Sequence, residues 1–210
     1  MIAIINYEAG NLASVSNALN RLDVSYTITN ETEELEAAEG IIFPGVGHAK
    51  PAMEALQKNG LDSWIQQTDK PLLGICLGMQ LLFESSEEGG GTAGLGLIPG
   101  KLKKFDNANK KVPHMGWNTF SETHNHPLTK DFETNSYFYY VHSYYAPVSE
   151  YTIAACNYST DFSSIVHKDN LMGVQFHPEK SGKAGALLLK HFIAHVQESA
   201  NRSATTGSKP

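Results

Sequence analysis

Short apolar runs, each followed by a stretch of helical spacing, constrain this 210-residue chain more than any other feature. Ile2-Ala3-Ile4-Ile5 is apolar at every position, as suits a strand buried on both faces. After it, Leu12, Val15, Leu19 and Leu22 recur at spacings of three and four and form one helical face. Gly40 precedes Ile41-Ile42-Phe43, which stops at Pro44-Gly45-Val46-Gly47, a segment made for unusual backbone angles. A helix is expected to begin near Pro51, because proline suits a first helical turn, and another to cover Leu61 to Ile65. Pro71-Leu72-Leu73-Gly74-Ile75 reads as a third strand running directly into Cys76-Leu77-Gly78, with Met79, Leu82 and Phe83 continuing as a helix. Alternating strands and helices imply a largely parallel sheet covered by helices.

The pattern changes at Glu87–Gly100, which is Gly-rich and is expected to form loops within one domain. From Lys101 to about Tyr158 the sequence predicts short antiparallel strands over Lys101–Phe105, Ser136–Val141 and Tyr151–Cys156. Leu171–Phe176 reads as a late strand. The last helix is expected near Lys183, with Leu187, Leu188, Phe192 and Val196 on one face. Residues 1–198 are therefore expected to form one domain. Residues 199–210, SANRSATTGSKP, are small and polar and are expected to be a flexible tail.

Composition excludes several classes. Hydrophobic residues make up 41% and charged residues 18%, which is too apolar for a disordered chain. The net charge of −6 argues against nucleic acid or an anionic membrane as partner. No apolar run approaches the ~20 residues that span a bilayer, and the start MIAIINYEAGN does not read as a signal peptide. Two cysteines, Cys76 and Cys156, make no disulfide framework, so the cytoplasm is the expected compartment.

The chemistry centres on Gly74-Ile75-Cys76-Leu77-Gly78, a G-x-Cys-x-G nucleophile elbow at a strand-to-helix junction. Small flanking residues let the turn tighten, lifting the sulfur to a helix N-terminus whose free N–H groups favour an anion. A free thiol has a pKa near ~8.5, so an adjacent imidazole would complete its activation. Gln175-Phe176-His177-Pro178-Glu179 can supply one: His177 as the base, Glu179 as the carboxylate that orients its ring. A developing oxyanion needs backbone donors, and the N–H groups of Val46 or Gly47, with that of Leu77, are the candidates. Read from these residues alone, a γ-glutamyl or peptide-bond cysteine hydrolase and a non-catalytic binding module of the same fold stay open.

These motifs, standing in order with Pro113-His114-Met115-Gly116-Trp117-Asn118, Tyr140-Val141-His142-Ser143-Tyr144 and His177-Pro178-Glu179-Lys180-Ser181, resemble the class I (triad) glutamine amidotransferases from Asn6 to about His195. The resemblance implies an α/β three-layer sandwich of flavodoxin-like type, its largely parallel central sheet carrying an antiparallel extension. It implies a Cys76, His177, Glu179 triad that forms a thioester with L-glutamine and releases ammonia and glutamate. Gln80 and Glu88 match positions holding the substrate, and His142, Ser143 and Tyr144 match the segment lining its pocket. Within the family, the chain is similar to subunits that pass ammonia to a separate cyclase barrel in a heterodimer. Asn11, Trp117, Asn118 and Lys180 match positions facing that partner, although Asn6–Asn11 departs from the Asp- and Gly-richer loop of relatives. Slow turnover without the partner, and no cofactor or metal, are also implied.

The remaining signals are weaker. The glycines at 89–91, 94 and 96 follow no strand in a phosphate-cradling pattern, and no P-loop motif is present. His124-Asn125-His126 lacks the further ligands a metal needs. Cys156 and most of the tyrosines at 137, 139, 140, 144 and 145 read as core and sheet packing.

Overall fold

The computed structural model describes residues 1–108, 110–133 and 135–206, with side chains described through residue 202. Eight strands form the central sheet. In spatial order they are β2 (Tyr26–Thr29), β1 (Ile2–Ile5), β3 (Gly40–Gly45), β4 (Leu72–Cys76), β14 (Leu171–Val174), β13 (Asp161–Lys168), β12 (Thr152–Asn157) and β9 (Glu122–Thr123). The pairings from β2 to β14 are parallel. Those from β14 to β9 are antiparallel. This is the expected largely parallel sheet with an antiparallel extension.

Among the described residues six helices cover it: α1 (Leu12–Asn20), α2 (Thr32–Ala37), α3 (Ala49–Lys58), α4 (Leu61–Gln67), α5 (Leu77–Leu81) and α6 (Gly182–Thr206). Side chains along a strand alternate between its faces, and β1 shows why its run is apolar throughout. Ala3 and Ile5 pack with Met53 and Leu56 of α3 and Leu61 and Ile65 of α4. Ile2 and Ile4 pack with Val15 and Leu19 of α1 and Leu188, Phe192 and Val196 of α6. The sheet thus has a core on each face, which makes the three layers of the sandwich.

Two small sheets flank this body. One pairs β8 (His114–Asn118) with β10 (Phe138–His142). The other joins β5 (Phe83–Ser86), β6 (Thr92–Ala93), β7 (Ile98–Lys104) and β11 (Tyr144–Tyr145). They carry the segments around residues 114–118 and 138–145 to the carboxyl edge of the main sheet, where β4 ends at Cys76.

The structure differs from the sequence expectations at definite places. The helix after Cys76 stops at Leu81 and does not continue through Leu82 and Phe83. The carbonyls of Leu81, Leu82 and Phe83 instead accept bonds from the backbone of Leu95, Gly96, Leu97 and Ile98. That external partner replaces the next helical turn. The Gly-rich stretch from Glu87 correspondingly holds a short 3₁₀ turn at Glu88–Gly90, then β6 and the start of β7. The final helix begins at Gly182 and runs to Thr206, so residues 199–206 are helical where a flexible tail was expected; residues 207–210 lie outside the described residues. Strands β2 and β13 and helix α2 carry too little apolar periodicity to stand out in the sequence.

Phe176 sits at the junction of these layers, fully buried, with ring centroids of Phe138 at 4.3 Å, Tyr140 at 5.7 Å and Phe120 at 6.0 Å. Phe176→Ala is expected to cost about 3–5 kcal/mol of stability, read by urea denaturation, because the surrounding rings cannot collapse into the gap.

Candidate active site

Cys76 closes β4 and precedes α5 with φ 54° and ψ −108°, a left-handed backbone that a residue with a β-carbon rarely adopts. The glycines on either side make this turn possible. A β-carbon on Gly78 would sit 1.9 Å from the Phe43 carbonyl oxygen, and one on Gly74 would sit 2.7 Å from the Met79 nitrogen. The α5 backbone can therefore press against β3 and β4 only with hydrogen at both positions. The result places the sulfur at the mouth of a cavity of about 830 Å³.

The same cavity is lined by His177, Val46, Gly47, Leu77, Gln80, Glu88, His142, Ser143 and Tyr144. Sequence positions from 46 to 177 thus meet around one sulfur. Gly45 pairs with Cys76 across β3 and β4, so Val46 and Gly47 leave β3 beside the start of α5, and they line the cavity together with Leu77. Gly47 has φ 95°, a conformation open to glycine and costly for other residues.

His177 follows β14 and begins the Pro178–Lys180 turn. Its N–H donates to the Tyr139 carbonyl at 2.9 Å. The Ser181 hydroxyl donates to the His177 carbonyl at 2.6 Å and accepts from the Tyr139 N–H at 2.9 Å. Ser181, buried, thereby ties the histidine turn to β10. Nδ1 of His177 lies 2.9 Å from Glu179 Oε1, and both side chains are 2% exposed. The ring's Nε2 has no hydrogen-bond partner at bonding geometry. Burial alone would depress its pKa. The nearby Cys76 sulfur and the Glu179 carboxylate outweigh that and raise it from 6.5 to about 9.

Gln80, Glu88 and His142 each hold protein partners. Gln80 Nε2 donates to the Tyr144 carbonyl at 3.0 Å and to Gln175 Oε1 at 2.9 Å. Glu88 reaches His48 Nδ1 at 2.8 Å through Oε1, and its Oε2 accepts from the Ala49 N–H at 2.7 Å, so it also caps α3. His142 is buried rather than presented to the cavity as a free ring: its Nδ1 donates to the Tyr144 carbonyl at 2.8 Å. Burial is the main cause that lowers its pKa to about 3.

The four residues expected to face a partner lie outside the cavity. Trp117 is 56% exposed on β8, next to exposed Met115 and Tyr137. Its ring stands 5.8 Å from that of Tyr139, and the Lys180 ammonium lies 5.9 Å from the Tyr139 centroid. Asn11 caps α1, accepting from the Ser14 N–H at 3.2 Å, and α1 lies against the Pro178–Lys180 turn. Asn118 is half-buried and donates to the Asn157 carbonyl at 2.9 Å.

Gln175, His114, His48 and Ser181 escaped the sequence reading as contributors. Gln175 had one usable signal: it is the polar residue inside the apolar run 171–176. Elsewhere, His126 Nε2 lies 3.1 Å from His167 Nδ1, and Cys156 is a buried thiol whose pKa burial pushes up to about 12. Among the described residues no group of three or more metal-ligating side chains converges, and no helix is long and apolar enough to cross a membrane.

Comparison with known proteins bears on this geometry. The family model for glutamine amidotransferase class-I matches residues 3–196. An imidazole glycerol phosphate synthase subunit HisH from Bacteroides fragilis (strain YCH46) is 48% identical over 194 residues, covering 91% of this chain and 98% of that protein. The subunit of the same description from Methanosarcina barkeri (strain Fusaro) is 47% identical over 196 residues, covering 91% and 97%. The backbone also matches a crystal structure of a glutamine amidotransferase with a TM-score of 0.70 at 16% identity, over 94% of this chain and all of that one.

The His177–Glu179 pair has a pH signature. A ring whose pKa rises from 6.5 to about 9 on folding adds stability that is complete below pH 6.5 and is lost as pH passes through about 9. Glu179→Gln removes part of that rise. Its stability deficit, about 2 kcal/mol, is expected to be largest below pH 6.5 and to narrow above pH 9, read from thermal melts of both proteins across the range.

Proposed function

The chain belongs to the class-I glutamine amidotransferase family, and on that premise we propose that it is the glutaminase subunit of an imidazole glycerol phosphate synthase, acting in histidine biosynthesis. The observation that carries this reading is that the Cys76 elbow and His177 line one cavity, with Glu179 held behind the ring at 2.9 Å from Nδ1. The identities of 48% and 47% over nearly full length to two subunits of that synthase support it.

In this reading Cys76 attacks the side-chain amide carbon of L-glutamine. The tetrahedral oxyanion is met by backbone N–H groups of Leu77 and of Val46 or Gly47. As it collapses, the carbon–nitrogen bond breaks, the nitrogen takes a proton from His177 and leaves as ammonia, and a γ-glutamyl thioester remains on Cys76. His177, now neutral, takes a proton from water. The hydroxide adds to the thioester, and the sulfur leaves with glutamate as product. Glu179 holds the ring's Nδ1–H throughout, which keeps Nε2 turned to the sulfur. Gln80, Glu88 and the His142–Tyr144 segment hold the substrate's α-amino and α-carboxyl groups. Glu88 is well placed for the ammonium, since its carboxylate already serves His48 and the Ala49 N–H at the cavity wall.

Ammonia passes to a cyclase subunit in a heterodimer, where it enters the formation of imidazole glycerol phosphate and AICAR. The exposed aromatic surface around Trp117, with Lys180 and Asn11 beside it, suits that docking. The reaction needs no cofactor, nucleic acid or membrane, and its free thiols suit the cytoplasm.

Mixing the chain with the cyclase subunit is expected to let glutamine support imidazole formation, with slow glutamine turnover when the cyclase is omitted. Cys76→Ala is expected to lower glutamate release at least about 10³-fold while far-UV circular dichroism is unchanged; normal turnover in this variant would exclude the thioester route. Trp117→Ala is expected to weaken association with the cyclase by about 2 kcal/mol, read by isothermal titration.

A further inference from the structure

The Cys76 sulfur has two polar neighbours apart from the histidine. The Val141 carbonyl oxygen lies at 3.9 Å and can only accept, so it serves the protonated thiol. Gln175 Nε2 lies at 3.8 Å and donates to the sulfur. When the sulfur ionises, the carbonyl offers nothing and the carboxamide becomes its favourable neighbour.

The direction of that carboxamide is set from behind. Gln175 is fully buried, and its Oε1 accepts from Gln80 Nε2 at 2.9 Å. Gln80 directs its second amide hydrogen to the Tyr144 carbonyl at 3.0 Å. With both hydrogens engaged, Gln80 must face Gln175 as a donor, so Gln175 must turn its own NH₂ to the sulfur. The Tyr144 carbonyl also accepts from His142 Nδ1 at 2.8 Å. A neutral ring that donates there accepts at Nε2, which faces His114 Nδ1 at 3.0 Å. His114 therefore donates through Nδ1, and its Nε2 accepts from Asn118 Nδ2 at 3.4 Å. Burial lowers the pKa of His114 to about 4 and that of His142 to about 3, which keeps one donor and one acceptor on each ring. His114 is held flat between Tyr140 and Tyr158, at centroid distances of 4.9 and 4.1 Å.

We propose that Gln175 is a positioning residue of the nucleophile, donating to the Cys76 sulfur in a direction set by Gln80, which the Tyr144 carbonyl fixes as a donor, while the His114–His142 pair holds that carbonyl in place. The proposal rests on Cys76 being the nucleophile. It gives the glutamine before Phe176 a role in reactivity apart from packing. It also gives the buried histidine pair a role: two neutral rings brace, from β8, the carbonyl to which Gln80 donates.

The test measures alkylation of Cys76 by iodoacetamide at pH 7 in the full-length chain, following the Cys76 peptide by mass spectrometry. Gln175→Met keeps the volume and removes the donor; Gln175→Glu keeps the shape and replaces the donor with a carboxyl group. Both are expected to slow alkylation by about fivefold to tenfold, with a native circular dichroism spectrum. His114→Phe keeps the stacked ring and removes the first donor, and is expected to slow it by about twofold to threefold. In the complex with the cyclase, Gln175→Met is expected to lower kcat for glutamine more than it changes KM, because Gln80 keeps its bond to the Tyr144 carbonyl. An alkylation rate unchanged in both folded Gln175 variants would overturn the proposal. A rate unchanged in His114→Phe alone would overturn the brace behind Gln80. If the parent complex shows no glutamine turnover, the glutaminase reading fails by itself, because alkylation is still measured.

Discussion

The contact on which the site depends is the crossing of two backbones beneath Cys76. Helix α5 passes so close to β3 that a single methyl group on Gly78 would lie inside the Phe43 carbonyl. Because that space is empty, the chain can turn from β4 into α5 through a cysteine in the left-handed region. The sulfur is then raised off the sheet at a helix N-terminus, opposite the Val46–Gly47 turn that follows the neighbouring strand. Move the crossing outward, and the sulfur, the Leu77 N–H and the cavity lose their common origin together.

The second half of the site is assembled by burial. His177 and Glu179 are withdrawn almost wholly from water, and one atom of each, Nε2 and Oε2, has no hydrogen-bond partner at bonding geometry. Leaving buried polar atoms unsatisfied costs stability. A fully satisfied pair would be more stable, but it would leave Nε2 with no capacity for a further hydrogen bond. Ser181 and the Tyr139 backbone hold the turn in place through three short bonds, so the cost is carried by a rigid frame. The aromatic cluster of Phe138, Phe120 and Phe176 supports that frame from below.

Much of the fold was legible in the residues. The runs Ile2–Ile5, Ile41–Phe43 and Leu72–Ile75 are apolar at every position because the sheet has a core on both faces, and each became a strand of the parallel half. The flanking glycines of Cys76 signalled the elbow for the reason the structure displays, a lack of room for a β-carbon. Misreadings occurred where long-range partners overrode local spacing. Leu82 and Phe83 have helical spacing from Met79, yet the Gly94–Ile98 backbone captures the carbonyls that a longer helix would use. Residues 199–206 look like tail material, yet they continue α6.

By itself the sequence determined which atoms could do chemistry here: a thiol between two glycines, then an imidazole and a carboxylate spaced for one turn, with glycine-rich backbone at a strand end. Those features are local, and a few consecutive residues suffice to express them. What only the tertiary structure decided is which polar groups lie behind them. Gln80 meets Gln175 across 95 positions, Gln175 meets Cys76 across 99, and His114 meets His142 across 28. Such pairs have no signature along the chain, because each residue's donor or acceptor role is set by the partner that folding brings to it. The same holds for Glu88 and Asn118, whose side chains turn to His48 and Asn157 for reasons that no local pattern records.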